Sequence, residues 1–168
     1  MKIENHILDI LQLHEYGMAI GQSLDYQESC DLFVKLLLKR KNLNAAWILE
    51  KRKDNYQSTY AIPLGDKISV KATKLEDIAS TISESMLVNS DPSISSISPI
   101  KLEDGRVAIF NLKGQGYLFL YSKKDNISEK DLVQLRPIIK KFSVNLKACK
   151  AFRQQQKLLR NLEIQNQE

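Results

Sequence analysis

The sequence predicts an α+β fold: a central antiparallel sheet with flanking helices, the first and last of them packed on one face. Three observations predict it. Apolar residues recur at helical spacing at both ends of the chain. Short apolar runs bounded by Gly, Pro, Asn and Asp fill the middle. These runs come in closely spaced pairs, which read as hairpins rather than as parallel crossover units.

The elements follow in order. Residues 2–23 read as a helix, with Ile3, Ile7, Ile10, Leu11, His14 and Met18 in an i, i+3/i+4 rhythm. Gly17 and Gly21 weaken its end. Asp25, with Glu28 three residues on, has the form of a capping box and opens a second helix to about Lys41. Cys30, Phe33, Val34 and Leu37 form its apolar stripe. Ala45 to Leu49 is continuously apolar, as in a strand covered on both faces. A turn at Lys53-Asp54-Asn55 leads into a second strand, residues 56–62, stopped by Pro63 and Gly65. Ile68 to Ala72 reads as a short edge strand.

Residues 74–87 read as a helix through Leu75, Ile78, Ala79, Ile82 and Met86. Residues 89–98 are rich in Ser, Asp and Pro, and a frayed strand through Ile94, Ile97 and Ile100 is expected there. Asp104-Gly105 signals a hairpin turn. Residues 106–112 and 117–121 are two more strands, apolar almost throughout and therefore central. Ser128 with Asp131 opens the last helix, which Pro137 is expected to kink or break. Leu135, Ile138, Phe142, Leu146 and Cys149 share one side of it; Arg136, Lys140, Lys147, Lys150 and Lys157 share the other. Beyond Phe152 the apolar stripe thins among glutamines. The expected organisation is a domain over 1–151 and the start of a helical connector over 152–168.

Composition narrows the function. The chain has 168 residues, 43% apolar and 27% charged, enough for one domain with its own core. Its two cysteines, Cys30 and Cys149, fall in helical patterns and match no zinc spacing. His6 and His14 lie two turns apart on one helix, too far to chelate one metal ion. No apolar run is long enough to span a membrane, and Glu4 and Asp9 interrupt any signal-peptide pattern, so a cytoplasmic protein is expected.

The 25 basic and 20 acidic residues are unevenly placed. The first helix is acidic and the last is basic, so the two are complementary in sign. A basic helix also invites a nucleic-acid reading. No recognition motif and no interleaved aromatics accompany it, so a solvated face takes precedence.

No Gly-rich phosphate loop is present: Gly114-Gln115-Gly116 precedes a strand, not a helix. No Ser-His-acid set is supported, and the adjacent acids Glu76-Asp77 and Glu103-Asp104 point apart on a helix or turn. These residues give no basis for an enzyme.

Three stretches resemble the GAF domain, a small-molecule sensing module of bacterial and archaeal signalling proteins. The first is YGMAIGQSLD, Tyr16 to Asp25, where a long helix ends and a capped one begins. The second is Leu36 to Leu49, LLLKRKNLNAAWIL, running from helix into strand. The third is Gly116 to Ser122, followed by ISEKDL, Ile127 to Leu132. In particular the chain is similar to GAF-type sensors placed before histidine kinase cores. It lacks the Asn-Lys…Phe…Asp-Glu signature of cyclic-nucleotide binders, and neither cysteine is placed for a linear tetrapyrrole.

The resemblance implies a non-catalytic sensory and dimerisation module with no cofactor and no metal, passing a helix rearrangement to a C-terminal output domain. It implies a ligand pocket lined by Trp47, Tyr60, Ile62, Ile78, Ile82, Phe110 and Leu118, residues that core packing explains equally well. A homodimer through the terminal helices is expected, using Ile7, Leu11, Met18, Leu135, Phe142, Leu146 and Cys149. A charged residue at Phe142 is then expected to give a monomer. The alternatives are a spacer or protein-binding adaptor without a ligand and, behind it, a nucleic-acid binder.

Overall fold

Continuous apolar runs become central strands, because only a strand buried on both faces withdraws every one of its side chains from water. In a computed structural model, which describes residues 2–79, 82 and 84–166 (side chains from residue 6 on), this holds for β1, Ala45–Lys51, buried at every position but the last. It lies at the middle of a six-stranded sheet with β2 (Asn55–Ile62), β3 (Ser69–Lys71), β4 (Ser85–Asn89), β5 (Arg106–Asn111) and β6 (Gly116–Ser122). The order is β3-β2-β1-β6-β5-β4, and every neighbouring pair is antiparallel.

The helices form a layer on each side. One layer holds α1 (Lys2–Ala19), α2 (Tyr26–Cys30), a π-helical turn (Asp31–Lys35), α3 (Leu36–Lys41) and α6 (Glu129–Asn166). The other holds α4 (Ala72–Ala79) and the short α5 (Pro92–Ser95). The first and last helices share one face of the sheet, as the sequence predicts.

Local chemistry sets the helix ends. Asp25 caps α2 by accepting from the Glu28 N–H at 2.9 Å. Asn42 ends α3 in the left-handed conformation, where Asn is tolerated better than most residues. Ser128 and Asp131 cap α6 reciprocally: the Asp131 carboxylate accepts from the Ser128 N–H at 2.9 Å, and Ser128 Oγ accepts from the Asp131 N–H at 3.3 Å. The expected break at Pro137 is absent. α6 runs for 38 residues through it, about 57 Å at 1.5 Å per residue. Leu132 and Leu135 before Pro137 and Ile139 and Phe142 after it are all buried, and this packing holds the helix to the core across the hydrogen bond that the proline cannot make.

Two other expectations change. The helix predicted over 74–87 ends at Ala79, and Met86 and Leu87 belong to β4. Met86 and Val88 pack on one face of the sheet and Leu87 on the other, a period of two inside a stretch that also fits a period of 3.6. The frayed strand expected at Ile94 and Ile97 is α5 and the turn after it. Asp91 caps it by accepting from the Ile94 N–H at 3.0 Å, and both isoleucines are buried. Consequently Asp104-Gly105 does not close a tight hairpin; residues 90–105 connect β4 to β5.

Among the described residues, the terminal helices are tied down by cations of α3, each pairing with an acid, rather than by the acids of α1 pairing with the bases of α6. Arg40 donates to Glu15 of α1 at 2.7 and 2.9 Å, and Lys41 donates to Asp131 of α6 at 3.0 Å. Lys141 of α6 reaches the Gly17 carbonyl of α1 at 2.6 Å.

Candidate functional site

Register decides what each expected pocket residue faces. Ile48 of β1 lies opposite Tyr60 and Leu118, and Leu118 lies opposite Phe110. Residues opposite one another share a face, so Tyr60, Leu118 and Phe110 pack with the α1/α3/α6 layer, and Ile62 joins them. The next row holds Ala61, Trp47, Phe119 and Ile109, which face α4 and α5 together with Ile78 and Ile82. The seven residues therefore do not line one cavity. The sheet separates Trp47, Ile78 and Ile82 from Tyr60, Ile62, Phe110 and Leu118. The alternation within each strand carried this division, but the sequence left open how the strands align. A one-residue change of register moves a strand's side chains to the other face.

Trp47 is the centre of the α4/α5 side. Its ring stacks on Phe119 at a centroid distance of 4.8 Å and an interplanar angle of 4°. It is fully buried, and its indole N–H has no hydrogen-bond partner. An unmade bond of this kind costs about 1–3 kcal/mol. Leu49, Leu75, Ile82, Ile94 and Ile97 complete this apolar side.

The expected dimer residues also divide. Ile7, Leu11 and Met18 are exposed, by 51%, 57% and 59%. Leu135, Phe142, Leu146 and Cys149 are buried in the chain's own core, so they are not available to a second chain. Phe142 packs on Phe33 with ring centroids 4.7 Å apart, and Cys149 Sγ lies 3.3 Å from Ser29 Oγ. On α1, Tyr16 with Leu13 forms the inward face, joined by Ile20 in the turn after the helix; Tyr16 lies roughly opposite the more apolar stripe at Ile7, Leu11 and Met18. The most apolar face of α1 thus points to solvent, alongside Ile10.

An open groove of about 1040 Å³ lies on the helical side, where sequence reasoning placed no site. Its walls are α6 from Cys149 to Arg160, the start of α2, the end of β1 and the middle of β2 at Gln57 to Thr59. A bulge in the β1–β2 pairing leaves Thr59 without a partner between Tyr60 and Ser58. The bulged Thr59 meets Tyr26 Oη at 2.7 Å, and its carbonyl accepts from Gln27 Nε2 at 2.9 Å. A second cleft of about 420 Å³ lies between α6 and the β4–β5 edge, with Arg136 and Glu84 at its mouth.

The buried phenols of Tyr16 and Tyr60 and the Cys30 thiol on the helical side are held neutral. Burial, reinforced by Asp31, pushes the Tyr60 phenol well up, and Tyr60 donates to Asp31 Oδ1 at 2.7 Å. Burial raises Tyr16 to about 12 and pushes the Cys30 thiol up. A raised thiol is the opposite of an activated thiolate. Among the described residues, no group of His, Cys, Asp and Glu is placed to hold a metal ion, and no helix is long and apolar enough to cross a membrane.

This architecture, helices on both faces of a six-stranded antiparallel sheet, defines a GAF-like domain. Solved structures share it. The GAF domain of an Acinetobacter phosphoenolpyruvate-protein phosphotransferase matches with a TM-score of 0.66 at 15% identity, covering 86% of this chain and 96% of its own. A fragment of a methyl-accepting chemotaxis protein, residues 122 to 287, matches at 0.59 and 12%, covering 83% and 98%. A free methionine-R-sulfoxide reductase of Neisseria meningitidis, solved with its substrate, matches at 0.64 and 14%, covering 86% and 92%. No family model matches the sequence, and the search of curated proteins finds no relative.

Proposed function

We propose that this chain is a non-catalytic sensory and dimerisation module of a signal-transduction protein, of the kind that precedes a histidine kinase core. It binds a small molecule on the α4/α5 side of the sheet and passes a helix rearrangement through α6 to an output domain. The observation that carries this reading is the buried, unpartnered N–H of Trp47. A ligand bearing an acceptor would satisfy it between the sheet and α4. The fold shared with a phosphotransferase GAF domain and a chemotaxis protein supports a sensory role. The exposed stripe Ile7, Ile10, Leu11 and Met18 supports pairing of α1 with a second chain.

Native mass spectrometry of the purified protein tests both halves. The expected result is a dimer carrying a reproducible small added mass. Trp47→Phe should lose the mass and Leu11→Glu should give a folded monomer. A wild-type monomer would overturn the dimer, and an added mass unaffected at Trp47 would overturn the site.

A specific observation favours a second reading, an adaptor without a ligand. The Trp47–Phe119 stack fills the centre of the α4/α5 side, and the two clefts described above lie on the other side. A dimer with no added mass, from native extract or after incubation with metabolite pools, would select it.

A further inference from the structure

The groove against α6 carries six cationic side chains, Arg52, Lys67, Lys150, Arg153, Lys157 and Arg160, and two carboxylates, Asp25 and Glu50. Glu50, nearly buried, is already engaged: Arg52 donates to it at 2.5 Å, and Lys150 Nζ lies 3.4 Å from it. Lys150 also donates to Gln115 Oε1 at 2.8 Å. Lys67, Arg153, Lys157 and Arg160 make no hydrogen bond or ion pair among the described residues. Their spacing explains the wall they form. Lys150, Arg153, Lys157 and Arg160 fall at steps of three and four, which puts them on one side of α6. Lys67 faces the same groove from the connection between β2 and β3. Like charges gathered around one concavity repel unless an anion lies among them.

We infer that this groove is a second binding site, for a small polyphosphorylated ligand. Guanidinium groups match phosphoryl oxygens with paired donors, and the lysines add point charges. The size agrees with small-molecule clefts, typically about 300–1,000 Å³. Phe152, 39% exposed on the same wall, offers a ring face to an organic moiety. The cations converge on one groove from α6, from the end of β1 and from the β2–β3 connection, rather than running along an extended track as a nucleic-acid backbone needs. The site lies across the sheet from Trp47, so it stands whether or not the sensory reading does.

Isothermal titration of inorganic tripolyphosphate and of ATP, at low salt, tests it on the full chain. Both are expected to bind one to one, with affinity falling as salt rises. Arg153→Ala with Arg160→Ala should weaken binding more than tenfold; both side chains are exposed, so the variant folds. Lys140→Ala with Lys147→Ala removes the same charge outside the groove and should leave binding unchanged. Tighter binding of ATP than of tripolyphosphate, abolished by Phe152→Ala, places the organic moiety on that ring; equal affinities assign recognition to the phosphates. No heat with either probe overturns the site. So does equal weakening by both double variants, or a DNA duplex that binds through these arginines where tripolyphosphate does not.

Discussion

Phe142 decides between a helix face that holds the domain together and one that holds two chains together. It is fully buried in the α1/α3/α6 layer, against Phe33. Phe142→Ala therefore removes a ring from a packed interior. Buried Phe-to-Ala changes cost about 3–5 kcal/mol, of which the contact with Phe33 supplies roughly 0.5–1.5 kcal/mol. With a urea slope of about 2 kcal/mol per molar, the midpoint should fall by roughly 1.5–2.5 M. The assay is urea unfolding followed by Trp47 fluorescence, at two protein concentrations a decade apart. The shift should be the same at both concentrations, because the lost contacts lie within one chain. A loss below about 1 kcal/mol, or a loss that disappears at high concentration, would refute the assignment. So would a stable, folded monomer. That last result is the one expected if Phe142 faced a partner.

Two further perturbations test separate parts of the fold. Burial acts to raise the Asp131 carboxyl, but the Ser128 N–H and Lys41 outweigh it and hold the group below its ordinary value of 3.8. A depressed carboxyl contributes stability above its unfolded pKa and loses it as pH falls through the folded one. Asp131→Asn should therefore cost on the order of 1 kcal/mol at pH 7, and the gap from wild type should close below about pH 4; a gap independent of pH would contradict the pairing. Gly116 sits at φ +148°, and an added Cβ would lie 2.0 Å from the Leu49 carbonyl oxygen in the neighbouring strand. Gly116→Ala must displace backbone and should cost several times as much as Gly21→Ala, where φ is +89° but nothing lies within 4 Å. The latter cost is backbone strain of about 1–2 kcal/mol. Similar thermal midpoints for the two variants would contradict the β1–β6 register.

The helix starts and every strand but β4 were the legible part of this sequence, because their signals are local. A run such as Ala45 to Leu49 has one economical conformation, and Asp25, Ser128 and Asp131 cap helices by reaching only three residues. The pocket was less legible. Tyr60 and Trp47 differ in facing only because of the register and the bulge at Thr59, and neither appears in a linear pattern. α1 misled for a different reason. Its more apolar stripe, Ile7, Leu11 and Met18, is the exposed one, while Tyr16 and Leu13 fill the inward side and Ile20 follows in the turn after it. Hydrophobic periodicity finds an amphipathic face but does not say whether the chain's own core or another surface covers it. The basic groove was partly legible: the basic stripe read on the last helix supplies Lys150 and Lys157 to it, but not Arg153 and Arg160, and not Lys67 and Arg52, which chain folding brings opposite.

Where this fold could move follows from where its apolar burial stops. Up to Cys149, α6 is fastened by Leu132, Leu135, Ile139, Phe142, Leu146 and Cys149, all buried. A fully buried large aliphatic or aromatic side chain holds about 1.5–3 kcal/mol, so this half cannot move without dismantling the core. From residue 151 to 166 every side chain is exposed. Displacing that half surrenders no core contact, and a helix of its length is marginal alone in water. Its position would be set by whatever bound it: a second chain along Leu158, Leu159 and Leu162, or an anion joining Arg153, Lys157 and Arg160 to Lys67 in the β2–β3 connection. A ligand that prefers one arrangement a hundredfold supplies only about 2.7 kcal/mol. Against the first half of α6 that changes nothing. Against the second it is enough to change which arrangement dominates, so a ligand at the groove would act on the helix where it is already free to respond.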